Sequence, residues 1–316
     1  MTNSYLPEGE LIGTAENRWY ISSRAGLERA MSEGRILEAT AILCDSRMRL
    51  HVDLYGITGI IEKNETAWNA DGREIKDIAV ITRVGKPVCF KVVGFSEENG
   101  RTVAVLSRRE AQRECSRTFL ADLTEGDILP ARVTHLDSFG AFVDIGCGVV
   151  SLLSIDCLSV SRISHPSDRL SVGDSIYVII KTIERESGRI FVTMRELLGT
   201  WEQNAEKFEV GQTVAGIVRS IESYGIFIEL APNLAGLAEL REGGDDTLPR
   251  VGEYAAVYIK SILPDRMKIK LVLIDSYHTT APVSKPKYFI DCKRTHHIDY
   301  WRYSPQHACK LIETAF

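Results

Sequence analysis

The chain has 316 residues, enough for two or three domains. Hydrophobic residues make up 44% and charged residues 26%, a globular composition that excludes a mainly disordered chain. Lys and Arg number 38 against 43 Asp and Glu, a net charge of −5, so any nucleic acid has to be met by a local face and not by a global positive field.

The opening stretch MTNSYLPEGELIGTAENRWY has no apolar core behind a basic start, and no apolar run reaches the roughly 20 residues of a membrane span. Seven cysteines without a CxxC pair read as reduced thiols, and the chain is expected to be cytoplasmic and not tied to a membrane. Residues 1–32 form a lead segment with a short helix at about 23–32. A first repeat over 33–112 carries strands at 35–45, 47–54, 57–61, 86–95 and 101–107, followed by helical sequence over 109–121. A second, over 125–198, carries strands at 127–136, 139–145, 149–153, 175–185 and 189–195, with helical sequence over 196–208. The third, over 209–274, carries them at 212–222, 225–230, 235–239, 254–262 and 267–273. An aromatic and basic tail occupies 275–316.

The repeats align on two landmarks. One is an opening glycine, at Gly34, Gly126 and Gly211; the other is a Val-Gly pair ending at Gly85, Gly173 and Gly252. The gap between landmarks shrinks along the chain, from 51 to 47 to 41 residues, yet a basic residue always lies 16 positions past the second glycine, at Arg101, Arg189 and Lys268. Variable spacing marks a surface connection, and fixed spacing marks a hairpin whose register is held. Five strands in about 75 residues, with a long excursion between the third and fourth, predict a mainly β chain of tandem five-stranded OB-type Greek-key barrels joined by short helices.

The second strands read SFGAFVDIG from Ser138 and SYGIFIELA from Ser223. Phe139 and Tyr224 share one offset from their opening glycine, and Phe142 and Phe227 share another. Gly140 and Gly225 between them suggest a bulge that turns both rings of a pair to one face. Paired outward rings suit unstacked bases, each stack being worth roughly 1–3 kcal/mol. A basic residue at the head of the fifth strand, Arg189 or Lys268, suits phosphate. Arg132 on the first strand of the second repeat, with Arg162 and His165 in its long loop, completes the candidate set; Arg169 shares that loop, and the loop reads equally as solvated surface.

These motifs, with the ending VLSRREAQRE of the first repeat, resemble the S1-type RNA-binding domain over about residues 33–274. The tandem arrangement resembles bacterial ribosomal protein S1 and its shorter relatives. The resemblance implies binding of single-stranded RNA, with mRNA brought to the small ribosomal subunit. It also implies that the first repeat docks protein and does not stack RNA. That repeat has Met48 and His51 at the ring positions and Arg49 for the glycine; a remnant basic site of Arg47, Arg49 and His51 is the alternative. The family's third-strand His falls at Ser151 and Glu239 here, and a carboxylate on the RNA face would weaken the third repeat.

Residues 125–208 hold 8 basic and 12 acidic residues and residues 209–274 hold 7 and 9, so stacking has to outweigh phosphate contacts. The tail contains Cys292, His296, His297, His307 and Cys309, at a spacing that matches no common zinc site, and no metal or cofactor is expected. Its Tyr288, Phe289, Tyr300, Trp301 and Tyr303 read as anchors folded back on the third barrel, with YWRY as an alternative stacking patch. No phosphate-binding loop, nucleophile elbow or zinc-protease motif occurs, so the chain does not read as an enzyme. A protein-binding scaffold, or an accessory subunit of an RNA-decay complex, stands as the alternative function.

Overall fold

The computed structural model of the chain describes residues 5–68, 74–98, 100–185, 187–239, 249–280 and 285–316. The chain divides into two compact units, residues 1–123 with 130–132 and 144–151, and residues 124–129 with 133–143 and 152–316.

Two helices lead in, α1 (Ala15–Ile21) and α2 (Arg24–Glu33), capped by the hydroxyls of Thr14 and Ser23. Helix α1 was not anticipated, because AENRWYI is too short to show a helical period. The first barrel is closed in the order β1-β2-β3-β5-β4, from β1 (Leu37–Cys44), β2 (Leu50–Leu54), β3 (Ile57–Ile61), β4 (Pro87–Glu98) and β5 (Arg101–Ser107). Its long connection holds a one-turn helix, α3 (Asp77–Ile81). Helix α4 (Arg108–Glu114) follows β5 and gives way to irregular turns up to Asp122.

The second barrel consists of β6 (Ile128–Asp137), β7 (Gly140–Asp144), β8 (Val150–Ser154), β9 (Ser175–Glu184) and β10 (Arg189–Thr193). It closes in the order β10-β8-β7-β6-β9. Helix α5 (Trp201–Ala205) comes next, capped by Thr200 with Gln203 returning the bond. The third barrel, β11 (Thr213–Glu222), β12 (Gly225–Ala231), β13 (Leu234–Ala238), β14 (Glu253–Leu263) and β15 (Lys268–Thr280), closes as β11-β12-β13-β15-β14. Its last strand runs to Thr280, past the end at 273 that the sequence suggested. Short strands β16 (Tyr300–Arg302) and β17 (Glu313–Ala315) pair near the end.

The second landmark glycine has one job in all three barrels. At Gly85, Gly173 and Gly252 φ is 77°, 96° and 92°, a left-handed turn that glycine adopts without a Cβ clash. In that turn its N–H donates to the first strand, to the carbonyls of Ala41, Val133 and Val218 at 2.7–2.8 Å. The landmark therefore ties the start of the fourth strand to the first.

The barrel interiors obey strand alternation. Leu50, Val52 and Leu54 of β2 are fully buried, as are Ala141 and Val143 of β7 and Ile228 of β12. Near the end of the chain, Trp301 and Tyr303 join the third barrel's core beside Trp201, while Tyr288, Ile290 and Cys292 pack with Ile128 and Ile179 of the second barrel. The segment thus anchors on two barrels, where the sequence pattern suggested one. Of the YWRY rings only Tyr300 stays exposed, and its hydroxyl donates to Glu313, which removes the stacking alternative for Trp301 and Tyr303.

Candidate nucleic-acid interface

The ring pairs are built on hairpins. Strands β6 and β7 are joined by the two-residue turn Ser138-Phe139, and β11 and β12 by Ser223-Tyr224, with Glu222 paired to Gly225. Phe139 and Tyr224 therefore sit at turn tips and not within strands, 50% and 61% exposed. Phe142 and Phe227 are half-buried on the strands behind them. The two rings of each pair meet edge-on, with centroids 5.8 Å apart in the second barrel and 6.1 Å in the third.

In the third barrel Gly225 is not the bulge that the spacing suggests: Glu222 pairs with Gly225 and Ile221 with Ile226 without a break, and the breaks of this strand and its first-strand partner fall farther on, between Val218 and Ser220 and between Glu229 and Ala231. Gly140 is required by crowding instead: a Cβ there would stand 2.5 Å from the Leu153 carbonyl oxygen, and one at Gly225 would stand 2.7 Å from that of Ala238. The turn itself brings the rings together. The Asp137-Ser138-Phe139-Gly140 order fits a turn that takes Asp first and Gly last, and neither central residue has a positive φ.

Behind each exposed ring lies a row of outward side chains. In the third barrel the pairing runs Ser220, Phe227, Leu237, Lys270 and Ser261 around successive strands. In the second, His135 stacks on Phe142 at 6.0 Å with planes 27° apart, Leu152 pairs with Phe191, and Phe191 with Thr182. His135, Phe191 and Lys270 are thus members of the patch that the sequence pattern did not single out. The signal for Phe191 and Lys270 was two residues away, since Arg189 and Lys268 share their face of the fifth strand roughly 7 Å along it. Both predicted basic residues are exposed, Arg189 opposite Glu184 and Lys268 opposite Leu263. Lys270 lies 3.9 Å from Glu239, so a carboxylate does stand at the third barrel's patch.

The other predicted residues fall elsewhere. Arg132 is turned toward Gly9, where an added Cβ would stand 2.4 Å from its guanidinium, and it is not part of the ring patch. Arg162 is an exposed loop residue. His165 caps the short turn 166–168, its Nδ1 accepting from the Ser167 N–H at 3.1 Å while the Asp168 carboxylate answers the His165 N–H. Arg169 is buried at 7% exposure, 2.5 Å from Glu229, which also holds Arg219 at 2.7 Å. Burial pulls the Arg169 pKa down and Glu229 opposes that, so this guanidinium serves the fold and not a phosphate. A cavity of about 380 Å³ opens beside these charges and Tyr254, with Lys285 on its wall. Ser151 is buried, and the equivalent of Glu239 by offset from the opening glycine is Ser154.

The first barrel presents a different row: Leu43, His51, Ile60, Val105 and Gly94. His51 does take the place of Phe142, but its Nε2 lies 3.1 Å from Asp45, which also holds Arg49 at 2.9 Å. Glu98 takes the other side of Arg49 at 2.7 Å. Burial pushes the Asp45 carboxyl up, but bonds from His51 and Arg49 outweigh it and hold the group well below the usual range. The remnant basic site is therefore internally neutralised, with Arg47 alone of the three left exposed and without an ion pair among the described residues. No group of three or more His, Cys, Asp or Glu able to hold a metal occurs among the described residues, and no described helix is long and apolar enough to cross a membrane.

Five-stranded closed barrels with exposed rings at one hairpin define an OB-type nucleic-acid-binding class, and residues 122–195 match the model of the S1 RNA binding domain. Over part of its length the chain resembles bacterial ribosomal protein S1. It is 31% identical over 208 residues to small ribosomal subunit protein bS1 of Staphylococcus epidermidis, covering 62% of this chain and 52% of that one. The protein of the same name from Rhizobium meliloti is 31% identical over 196 residues, covering 60% of this chain and 33% of its own. The match thus spans about half or less of these relatives. Among solved structures, that of GSP13 from Bacillus subtilis aligns with 23% of this chain and 57% of its own, at 27% identity and a TM-score of 0.23.

Proposed function

We propose that the chain binds single-stranded RNA through its second and third barrels and serves translation in the cytoplasm, holding mRNA near the small ribosomal subunit. The observation that carries this reading is the recurrence of one ring pair at one register on two barrels, with the turn-tip ring half exposed or more in each. Bases stack on Phe139, Phe142, Tyr224 and Phe227, and Arg189, Lys268 and Lys270 meet phosphates beside them. The relatives named as ribosomal subunit proteins support the ribosomal setting. The first barrel stands outside this contact, because its row has no exposed ring and its Arg49 is paired; we assign it to protein docking.

The test is anisotropy titration of a fluorescent unstructured RNA against the full chain and against a variant with both Phe142→Ala and Phe227→Ala. The double variant is expected to lose about 2–6 kcal/mol of binding, at roughly 1–3 per stack, with an unchanged circular dichroism spectrum. Unchanged affinity would overturn the reading in favour of a scaffold. Ribosome association is checked separately by co-sedimentation with small subunits.

A further inference from the structure

A β-bulge recurs at one place in all three barrels, on the fourth strand, eight residues past the second landmark glycine. In β4 Val92 pairs with Leu106 and Gly94 with Val105, which leaves Val93 as the extra residue. In β9 Ile180 pairs with Val192 and Thr182 with Phe191, which leaves Lys181. In β14 Ile259 pairs with Leu271 and Ser261 with Lys270, which leaves Lys260. The residue before the extra one is buried each time, and neither the extra one nor the one after it is. The bulge thus interrupts the alternation of faces and sets one further side chain beside the row behind the rings. The first barrel has Val there, and the two barrels with ring pairs have Lys.

The two lysines meet different surroundings. Lys181 is half-buried, and its ammonium lies 3.1 Å from the Cys157 sulfur. Two carboxylates stand near it: Glu125, which accepts from the Ile183 N–H at 3.2 Å, and Glu184, opposite Arg189. By offset from the landmark glycines the third barrel has Val210 and Leu263 at those two places. Lys260 is exposed, and neither it nor Lys268 has an ion pair among the described residues. Lys270 takes the place of Phe191, and Ser220 that of His135. The acids beside these three cations are Glu239, 3.9 Å from Lys270, and the exposed Glu209 before Val210. The turn between the fourth and fifth strands has one Arg and one acid in both sequences, Arg185 with Glu186 and Arg266 with Asp265, so it leaves the contrast as it is.

We propose that the two RNA sites divide the strand chemically. The third barrel grips the sugar-phosphate backbone through Lys260, Lys268 and Lys270, while the second holds bases on its rings, its bulge lysine being spent on Cys157. The inference rests on the RNA reading above and adds Lys260 to the contact. Ser261, next to Lys260, faces Lys270 across neighbouring strands about 5 Å apart, and Lys268 lies roughly 7 Å farther along β15, so the three cations form a line. Lys270 is two strands from Phe227, about 10 Å, which puts that line beside the stacked base. A line of cations suits a polyanion whatever its bases, and each phosphate held adds about 0.7 to the steepness of the salt dependence. Rings hold bases by stacking, which releases no counterions.

The test is a salt series of anisotropy titrations of a fluorescent unstructured RNA against the full chain, read as the slope of log affinity against log salt. Circular dichroism checks the fold of each variant. Lys260→Ala should flatten the slope by about 0.7–1, and Lys260→Arg, which keeps the charge, should restore it. Lys181→Met, which keeps an apolar stem beside Cys157, should leave the slope at the wild-type value. Phe142→Ala should weaken binding by the same factor at every salt concentration. An unmoved slope in Lys260→Ala overturns the inference. So does a flattening in Lys181→Met equal to that in Lys260→Ala, since both barrels would then grip the backbone alike. Full affinity in the variant with both Phe142→Ala and Phe227→Ala would strike the RNA reading itself, whereas its loss beside an unmoved Lys260→Ala slope strikes this inference alone.

Discussion

The imidazole of His135 lies nearly parallel to the ring of Phe142, centroids 6.0 Å apart, while Phe139 meets that same ring edge-on. Three rings therefore brace one another on the second barrel, and the third barrel has Ser220 at the place of His135. A braced ring holds its orientation before a base arrives, so less ordering is left for binding. His135→Ala is expected to weaken RNA binding by roughly 0.5–1.5 kcal/mol, the value of an aromatic pair beyond its area. Phe142→Ala should cost more, about 1–3 kcal/mol. Anisotropy titrations of the two variants at one salt concentration check this; a His135→Ala loss equal to that of Phe142→Ala would mean that His135 stacks a base itself.

Glu239 and Lys270 make the corresponding test on the third barrel. Their side chains are 67% and 49% exposed and 3.9 Å apart, a pair worth roughly 0–1 kcal/mol to the fold. Glu239→Gln should leave stability nearly unchanged while freeing Lys270 for phosphate. RNA affinity is then expected to rise by about two- to fivefold, and the slope of log affinity against log salt to steepen by about one. A slope that does not move would place Lys270 off the RNA path.

The repeats were legible because backbone geometry enforces them. A positive-φ turn at Gly173 and Gly252, tied to the first strand, recurs as a Val-Gly landmark whatever the loop before it does. The ring pairs were legible for the same reason, since a two-residue hairpin fixes the offset of Phe139 and Tyr224. What sequence spacing hid was the cause. Gly225 looked like a bulge, yet the breaks fall at Val218/Ser220 and Glu229/Ala231, where no glycine marks them. His135 gave no signal, because its partner is across a hairpin and not in the sequence period. Arg169 looked like a loop cation, and only the long-range approach of Glu229 shows it to be buried.

Arg169 accordingly separates a structural from a binding role. Removing one partner of a buried ion pair costs about 3–5 kcal/mol, and Arg219 remains to hold Glu229, so Arg169→Met should destabilise the second unit by roughly 3 kcal/mol. Urea unfolding monitored through Trp201 fluorescence reads that loss. Under native conditions RNA affinity should be unchanged. A loss of affinity with full stability would restore Arg169 to the RNA path.

The tail segment packed on the second barrel carries its own titratable clasp. His297 donates through Nδ1 to Asp127 at 2.7 Å, beside backbone bonds from the Ile128 N–H to His296 and from the Ile298 N–H to Gly126. The bond to Asp127 raises the His297 pKa above its ordinary value of 6.5, with Asp299 adding to it and slight burial opposing. A histidine raised on folding gives stability that is fully present below about 6.5 and is lost as pH climbs through the higher folded value. Amide protection over 288–298, corrected for the intrinsic exchange rate, should therefore fall as pH rises above about 6.5, while protection within β7 and β12 stays level. His297→Asn should abolish the dependence and show the lower protection at every pH. The same fall in His297→Asn as in wild type would assign the titration to another group and leave His297 a neutral hydrogen-bond donor.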